Sequence, residues 1–289
     1  MLNVLVTGSN GQLGSEIKEL SSRYKEYTFT FSDRETLDLS SEDAINTYFD
    51  DKSFDVIINC AAYTAVDKAE SDRELAFSIN HRSVETLGEI AKAKNMTLIH
   101  VSTDYVFDGR NCKPYVESDP TDPQSVYGAS KLAGEEALLS INPKRTIIIR
   151  TSWVYSAFGN NFVKTMLRLG GERDELGVIF DQVGTPTYAK DLADTILEII
   201  PKIDNDAVET YHYSNEGACS WYDFSKAIFE LSQIECRVNP IETKEYPTPA
   251  TRPHYSLLNK AKIKKAYEIS IPYWKDSLKT CLKTLEEGS

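Results

Sequence analysis

The chain has 289 residues, enough at about 150 per domain for one large domain or two small ones, and 32 Lys and Arg against 44 Asp and Glu give a net charge of −12. That acidic balance argues against a nucleic-acid partner, because binding a phosphate backbone needs clustered basic charge. With 41% hydrophobic and 26% charged residues, the composition is that of an ordinary soluble globule, which sets aside disorder, collagen and coiled coil.

In chain order, the amino terminus MLNVLVTGSNGQLG enters an apolar run at once, without the basic region and longer apolar core of a secretory signal. Leu2–Thr7 is predicted as the first strand and 12–22 as the helix after it. Between them Gly8, Gly11 and Gly14 form GxxGxxG. Glycine lets the backbone turn sharply against a pyrophosphate, and the free N–H groups of the helix start favour an anion, so this turn is a candidate dinucleotide loop. A strand at 28–32 runs into FSDRETLDL. There Asp33 can accept hydrogen bonds from an adenosine ribose and favour NAD, whereas Arg34 can pair with the 2′-phosphate of NADP; both readings stay open. Asp38 and Leu39 follow within reach of an adenine.

A helix capped at Ser40, Ser41 and Glu42 leads to a buried strand at 54–59, after which the small residues Cys60, Ala61 and Ala62 let the backbone approach a cofactor. Residues 72–95 read as one long helix with Leu75, Ile79, Leu87 and Ile90 on its apolar face, and 97–102 as the next strand. Thr103, at the carboxyl end of that strand, faces the crevice where such folds bind ligands and can polarise a substrate carbonyl. Tyr127 and Lys131 stand four apart in a predicted helix over 125–140, on one face. Reducing a carbonyl takes a hydride at carbon and a proton at oxygen. A tyrosine supplies the proton if a nearby ammonium lowers its pKa from about 10, and the same lysine can hold a nicotinamide ribose. A strand at 145–150 completes an alternation that predicts an α/β fold with a doubly wound parallel sheet of Rossmann type.

Beyond Trp153 the alternation breaks into a helix at 161–169, a strand at 178–181, a helix at 189–200, a strand at 209–214, a helix at 221–231, the loop YPTPATRPHYS and two terminal helices. This predicts a dinucleotide domain of residues 1–153 and 187–214 and a smaller α/β substrate domain of 154–186 and 215–289, with the active site between them. No stretch approaches the ~18 apolar residues of a membrane span. The cysteines, Cys60, Cys112, Cys219, Cys236 and Cys281, form no CxxC pair, which predicts reduced thiols in a cytoplasmic protein and no zinc site.

GxxGxxG, STDYVF at 102–107 and YxxxK together resemble the extended short-chain dehydrogenase/reductase family. AAYTAVDKAE at 61–70, RTSWVY at 150–155, GNNF at 159–162, DQVGTPT at 181–187 and RPHYSLL at 252–258 are similar to its dTDP-4-dehydrorhamnose reductase branch, from residue 1 to about 280. The resemblance implies reduction of the 4-keto group of dTDP-4-dehydro-6-deoxy-L-mannose to dTDP-L-rhamnose with NADH or NADPH. It implies that Gly8, Gly11, Gln12, Leu13 and Gly14 hold the pyrophosphate, Asp38 and Leu39 the adenine side, and Ala61, Ala62 and Tyr63 the wall beside the cofactor. Thr103, Tyr127 and Lys131 would do the chemistry, with Asp104, Tyr105, Trp153 and Arg252 around a nucleotide-sugar substrate; a guanidinium suits a diphosphate.

Some members of that branch are dimers bridged by magnesium through acidic residues. Glu16 is present here, but Lys190 stands where an acid is expected, so no metal is predicted and the chain is expected as a monomer or homodimer. A 4,6-dehydratase requires an acid pair after the strand-end threonine, and here Tyr105 follows Asp104. A 4-epimerase keeps YxxxK without the AVDKAE and RPHYSLL segments. A regulatory subunit that binds a dinucleotide without turnover has no use for the Thr103, Tyr127 and Lys131 set.

Overall fold

The computed structural model describes residues 1–287. The first half runs β1 (Leu2–Thr7), α1 (Gln12–Leu20), β2 (Tyr27–Ser32), α2 (Glu42–Asp50), β3 (Val56–Asn59), α3 (Val66–Ala69), α4 (Arg73–Phe77), α5 (Ser83–Lys94), β4 (Thr97–Thr103), α6 (Val126–Ile141) and β5 (Thr146–Thr151). Then come β6 (Val154–Tyr155), α7 (Phe162–Glu172), β7 (Glu175–Ile179), β8 (Val183–Gly184), β9 (Thr187–Tyr188), α8 (Ala189–Ile199), β10 (Glu209–His212), β11 (Cys219–Ser220), α9 (Trp221–Leu231), β12 (Arg237–Ile241), α10 (Ala261–Tyr267) and α11 (Trp274–Glu287).

Six strands form one parallel sheet in the order β10-β5-β4-β3-β1-β2. Their sequences are apolar on both faces because both faces are covered. Val4, Val6, Ile58, Ile99 and Ile149 pack with Leu192 and Ile196 of α8, while Leu5, Ile57, Leu98 and Ile148 pack with Ile45 of α2 and Leu87 of α5. Strand order reverses between β1 and β3, which opens a crevice at their carboxyl ends, where such sheets bind ligands. The sheet is the doubly wound Rossmann arrangement that the alternation predicts.

A second core gathers Tyr155, Val163, Met166, Leu176, Phe224, Ile228, Trp274 and Leu278 around β7 and β12. Ile263, Tyr267 and Ile271 instead join the core of the large sheet, although they lie in the stretch expected to belong wholly to the second unit.

Two elements differ from expectation. Residues 73–94 are helical throughout, but Ser78–Arg82 form a π turn that inserts one residue into the winding. The insertion shifts the phase: Ala76, Asn80 and Val84 become buried, and Leu75 and Ile79 face the crevice in place of the core. The strand expected at 178–181 is β7, placed three residues earlier, and it pairs in parallel with β12. The proline within β12, Pro240, hides that strand from a pattern reading, and a two-stranded ribbon tolerates it because the outer edge needs no N–H donor. No helix among the described residues is long and apolar enough to cross a membrane.

Candidate active site

A cleft of about 690 Å³ follows the carboxyl ends of β1, β2 and β3 from the glycine turn to α6. Gly8 has φ +65°, and a Cβ there would stand 2.7 Å from the Ala61 backbone, so glycine alone brings the turn this close to β3. Gly11 caps α1 without any side-chain hydrogen bond, which leaves the N–H groups of the helix start open to an anion. Gln12 donates through Nε2 to the Val154 carbonyl at 3.4 Å, and its buried Oε1 has no partner. Bare helix start and glycine cradle together fit a dinucleotide pyrophosphate; the Gln12 oxygen, an acceptor, would need a donor such as a ribose hydroxyl.

Of the residues expected around a cofactor, Gly8, Gly11, Gln12, Leu13, Asp33, Arg34, Asp38, Leu39, Ala61, Ala62, Tyr63, Tyr127 and Lys131 all line the cleft. Gly14 does not. It lies beneath the loop, where a Cβ would collide with the Gly8 carbonyl and come within 2.7 Å of Ser9 Cα, so it lets α1 tuck under the turn. Asp33 is occupied with its own turn: Oδ1 accepts from the N–H groups of Glu35 and Thr36 and from Thr36 Oγ1, and Oδ2 accepts from Asn10 Nδ2. The Thr36 hydroxyl above all holds its pKa below the usual carboxylate value. Asp38 is likewise held low by Ser40, whose N–H and hydroxyl both donate to it, with the Arg34 charge adding to the effect. Arg34 is exposed on the rim.

Tyr127 enters the cleft from the first turn of α6, which Ser125 caps by accepting the Gly128 N–H at 3.1 Å. Its ring meets Tyr105 edge-on at 5.4 Å. Packing round the hydroxyl pushes its pKa up to about 12, against a lowering hydrogen bond with Thr103. Lys131 lies on the inward stripe of α6, one turn below. Its Nζ donates to the Val101 carbonyl at 2.7 Å and stands 3.3 Å from His100 Nε2. Burial pulls Lys131 down to about 8, opposed by the charge of Glu135. The expected lowering of the tyrosine by this ammonium is therefore absent from the balance at Tyr127: Lys131 is turned toward β4, and burial dominates both groups. Behind it His100 Nδ1 meets Asn59 Nδ2 at 3.1 Å, and Asn59 Oδ1 accepts from Thr7 Oγ1 at 2.6 Å. Burial, with the Lys131 charge, keeps His100 neutral. Glu135 forms a buried ion pair with Arg150 at 2.7 Å and accepts from Ser102.

Thr103 Oγ1 donates to Asp104 Oδ1 at 3.0 Å and accepts the Tyr105 N–H at 3.2 Å. Burial drives the Asp104 carboxyl up to about 7, and its Oδ2 has no hydrogen-bond partner. Thr103, Asp104 and Tyr105 thus gather at the Tyr127 end without lining the cleft. Trp153 is placed differently. It has φ +50°, stacks on Trp221 with centroids 3.6 Å apart, and fits over Gly184, whose Cβ would come within 2.9 Å of its ring. Arg252 grips Asp67 with both oxygens, Nη1 to Oδ1 at 3.0 Å and Nη2 to Oδ2 at 2.7 Å.

Trp221, Gly184 and Asp67 were outside the residues singled out from the sequence, as were Thr151, Val154, Gly159 and Asn160 of the cleft wall. The RTSWVY, GNNF and AVDKAE segments carry most of these positions and were the available signal. Glu16 is buried and accepts from Ser156 Oγ at 2.6 Å; burial raises its pKa, and Lys190 is the cation facing it. No three His, Cys, Asp or Glu among the described residues are grouped to hold a metal ion.

The model of the RmlD substrate binding domain family matches residues 2–287. A dTDP-4-dehydrorhamnose reductase of Aggregatibacter actinomycetemcomitans is 44% identical to this chain, covering 96% of it and 98% of the relative. Among solved structures, a dTDP-4-dehydrorhamnose reductase of Clostridium acetobutylicum superposes with a TM-score of 0.93 at 42% identity, over 99% of this chain and 100% of that one. The Bacillus anthracis dTDP-4-dehydrorhamnose reductase in complex with NADP does so with a TM-score of 0.93 at 37% identity, over 98% and 99%.

Proposed function

The chain belongs to the dTDP-4-dehydrorhamnose reductase family, and from that premise we propose that it reduces the 4-keto group of dTDP-4-dehydro-6-deoxy-L-mannose to dTDP-L-rhamnose with NADPH or NADH. The observation that carries this reading is the convergence of the glycine turn and the Tyr127 and Lys131 pair on one cleft. A bound nicotinamide supplies the hydride. Tyr127, held protonated across the neutral range by its surroundings, gives its proton to the developing alkoxide. The Thr103 hydroxyl orients the carbonyl oxygen toward Tyr127, and Lys131, which lines the same cleft, holds the nicotinamide ribose.

Gln12 and the bare start of α1 hold the pyrophosphate, Asp33, Arg34, Asp38 and Leu39 border the adenosine, and Ala61, Ala62 and Tyr63 form the opposite wall. Tyr105, Trp153 and Arg252 surround the nucleotide-sugar. The sheet unit acts as the dinucleotide domain and the unit around β7 and β12 as the substrate domain. The net charge of −12 supports a chain that binds no nucleic acid, and five free thiols support a cytoplasmic location. The chain works as a monomer or homodimer.

The test supplies the purified protein with the keto-sugar nucleotide made by coupled dehydratase and epimerase steps and follows NAD(P)H absorbance. Consumption equimolar with product is expected. Binding of NAD(P)H without consumption would overturn the enzymatic reading in favour of a regulatory dinucleotide-binding subunit.

A further inference from the structure

The AVDKAE segment is unexplained by the chemistry at Tyr127. Its backbone forms α3, and it touches three parts of the site. Ala65 and Lys68 line the cofactor cleft. Glu70 Oε1 accepts the Val126 N–H at 2.9 Å, at the start of the helix that carries Tyr127. Asp67 reaches the proline-bounded loop that contains Arg252, 185 residues further along the chain.

We propose that Asp67 is a positioning residue for substrate binding, holding the Arg252 guanidinium by one edge so that its other edge meets the diphosphate of the nucleotide-sugar. This rests on the reading of Arg252 as a diphosphate ligand. A guanidinium has five N–H donors. Nη1 spends both of its own, on Asp67 Oδ1 at 3.0 Å and on the Ala250 carbonyl at 3.3 Å, and Nη2 spends one on Asp67 Oδ2 at 2.7 Å. What is left is one Nη2 hydrogen and the Nε hydrogen, parallel along one side, which is the fork that grips a phosphate with two bonds. The Arg252 side chain is 25% exposed and so not sealed in the core. Asp67 Oδ1 also accepts the Ala250 N–H at 3.2 Å, which ties the loop backbone into the same clasp. Arg252 lies close enough to Tyr105 for its charge to act on the tyrosine hydroxyl, and Tyr105 packs on Tyr127, so the guanidinium stands near the reacting end of the site.

Positioning and plain attraction make opposite predictions. A cation that merely attracts the diphosphate is weakened by a neighbouring carboxylate, and removing that charge would tighten binding. A cation that works through its edge loses affinity, because a free arginine must give up rotamer freedom when the ligand arrives.

The experiment titrates dTDP and thymidine into the NADP-loaded protein by calorimetry, for wild type, Asp67→Asn, Arg252→Ala, Arg252→Lys and the Asp67→Asn/Arg252→Ala double variant. Arg252→Ala should weaken dTDP about tenfold or more and leave thymidine unchanged. Asp67→Asn should also weaken dTDP several-fold, spare thymidine, and add nothing on the Arg252→Ala background. Arg252→Lys, which keeps the charge and lacks the second edge, should bind dTDP as poorly as Arg252→Ala, and it tests the edge even if Asp67→Asn fails to fold. Wild-type or tighter dTDP binding by Asp67→Asn, additive losses in the double variant, or wild-type binding by Arg252→Lys would each overturn the proposal. An unchanged dTDP affinity in Arg252→Ala would remove the reading of Arg252 itself, and this inference with it.

Discussion

Tyr127 is the one group at the reacting end whose loss removes a proton without removing a shape. Tyr127→Phe keeps the ring against Tyr105, so NADPH affinity should stay near wild type while kcat falls ~10²–10⁴-fold, the usual contribution of general acid catalysis. Fluorescence titration beside steady-state assay checks both halves. Asp104 carries a different consequence, for stability. Its carboxyl titrates near 3.8 when unfolded and at about 7 in the fold, because burial penalises the charge. Between those values the folded chain binds the extra proton, so stability falls as pH rises through the interval, and the full penalty stands above about 7. Asp104→Asn escapes that penalty; its melting temperature relative to wild type should rise between about pH 4 and pH 8. A difference independent of pH would show that Asp104 is not the titrating group. At the adenosine end, Asp33 has one oxygen engaged in its own turn and the other by Asn10 of the glycine turn, whereas Arg34 is exposed on the rim. NADH and NADPH should serve with kcat/KM within roughly tenfold, a difference of ~1.4 kcal/mol. Arg34→Ala should penalise NADPH selectively, and equal effects on the two cofactors would place its side chain away from the ribose.

The π turn inside the helix from Arg73 to Lys94 is where an element serves the site. The inserted residue aims Asn80 inward, where its Oδ1 accepts the Tyr63 N–H at 2.8 Å and its Nδ2 donates to the Tyr63 carbonyl at 3.1 Å and to Ser130 Oγ at 2.9 Å. One side chain thus pins the cofactor wall at Tyr63 to the helix that carries Tyr127. Asn80 is wholly buried, so its truncation strands a backbone N–H and C=O that water reaches poorly. Asn80→Ala should cost about 1–3 kcal/mol in urea unfolding and raise the KM for NADPH through a loosened wall. A variant with lower stability and unchanged KM would separate the helix from the cofactor. Gly134 belongs to the same joint, since a Cβ there would run into the Asn80 carbonyl.

For the molecule as a whole, Glu16 of α1 ties the sheet unit to the segment after β6 that leads into the second core. Its carboxylate is buried, bonded to Ser156 of the β6 segment, and faced by Lys190 at the start of α8. A site that already contains an ammonium and a satisfied carboxylate offers little to a divalent cation, whose oxygen ligands should be anionic and open. Treatment with EDTA should leave both activity and the sedimentation profile unchanged; loss of a dimer on chelation would show a metal bridge that Lys190 does not prevent.

Two kinds of information separate along this chain. The glycine turn, the strand ends at Thr7 and Thr103, the helix face shared by Tyr127 and Lys131, and the alternation that winds the sheet are legible from residue order, because each depends on neighbours within a few positions. Where those side chains point is not. Lys131 turns toward Val101 and His100 because β4 lies beneath α6, and the π turn at 78–82 leaves the apolar spacing of its helix looking unbroken while turning Leu75 and Ile79 to the cleft and keeping Leu87 in the core. The Trp153 stack on Trp221, the parallel pairing of β7 with β12 and the Asp67 grip on Arg252 join segments from about 60 to 185 residues apart. Such contacts carry no period and no local spacing; they exist only once segments distant in the chain have packed together, and that packing aims the guanidinium, the indole and the ammonium.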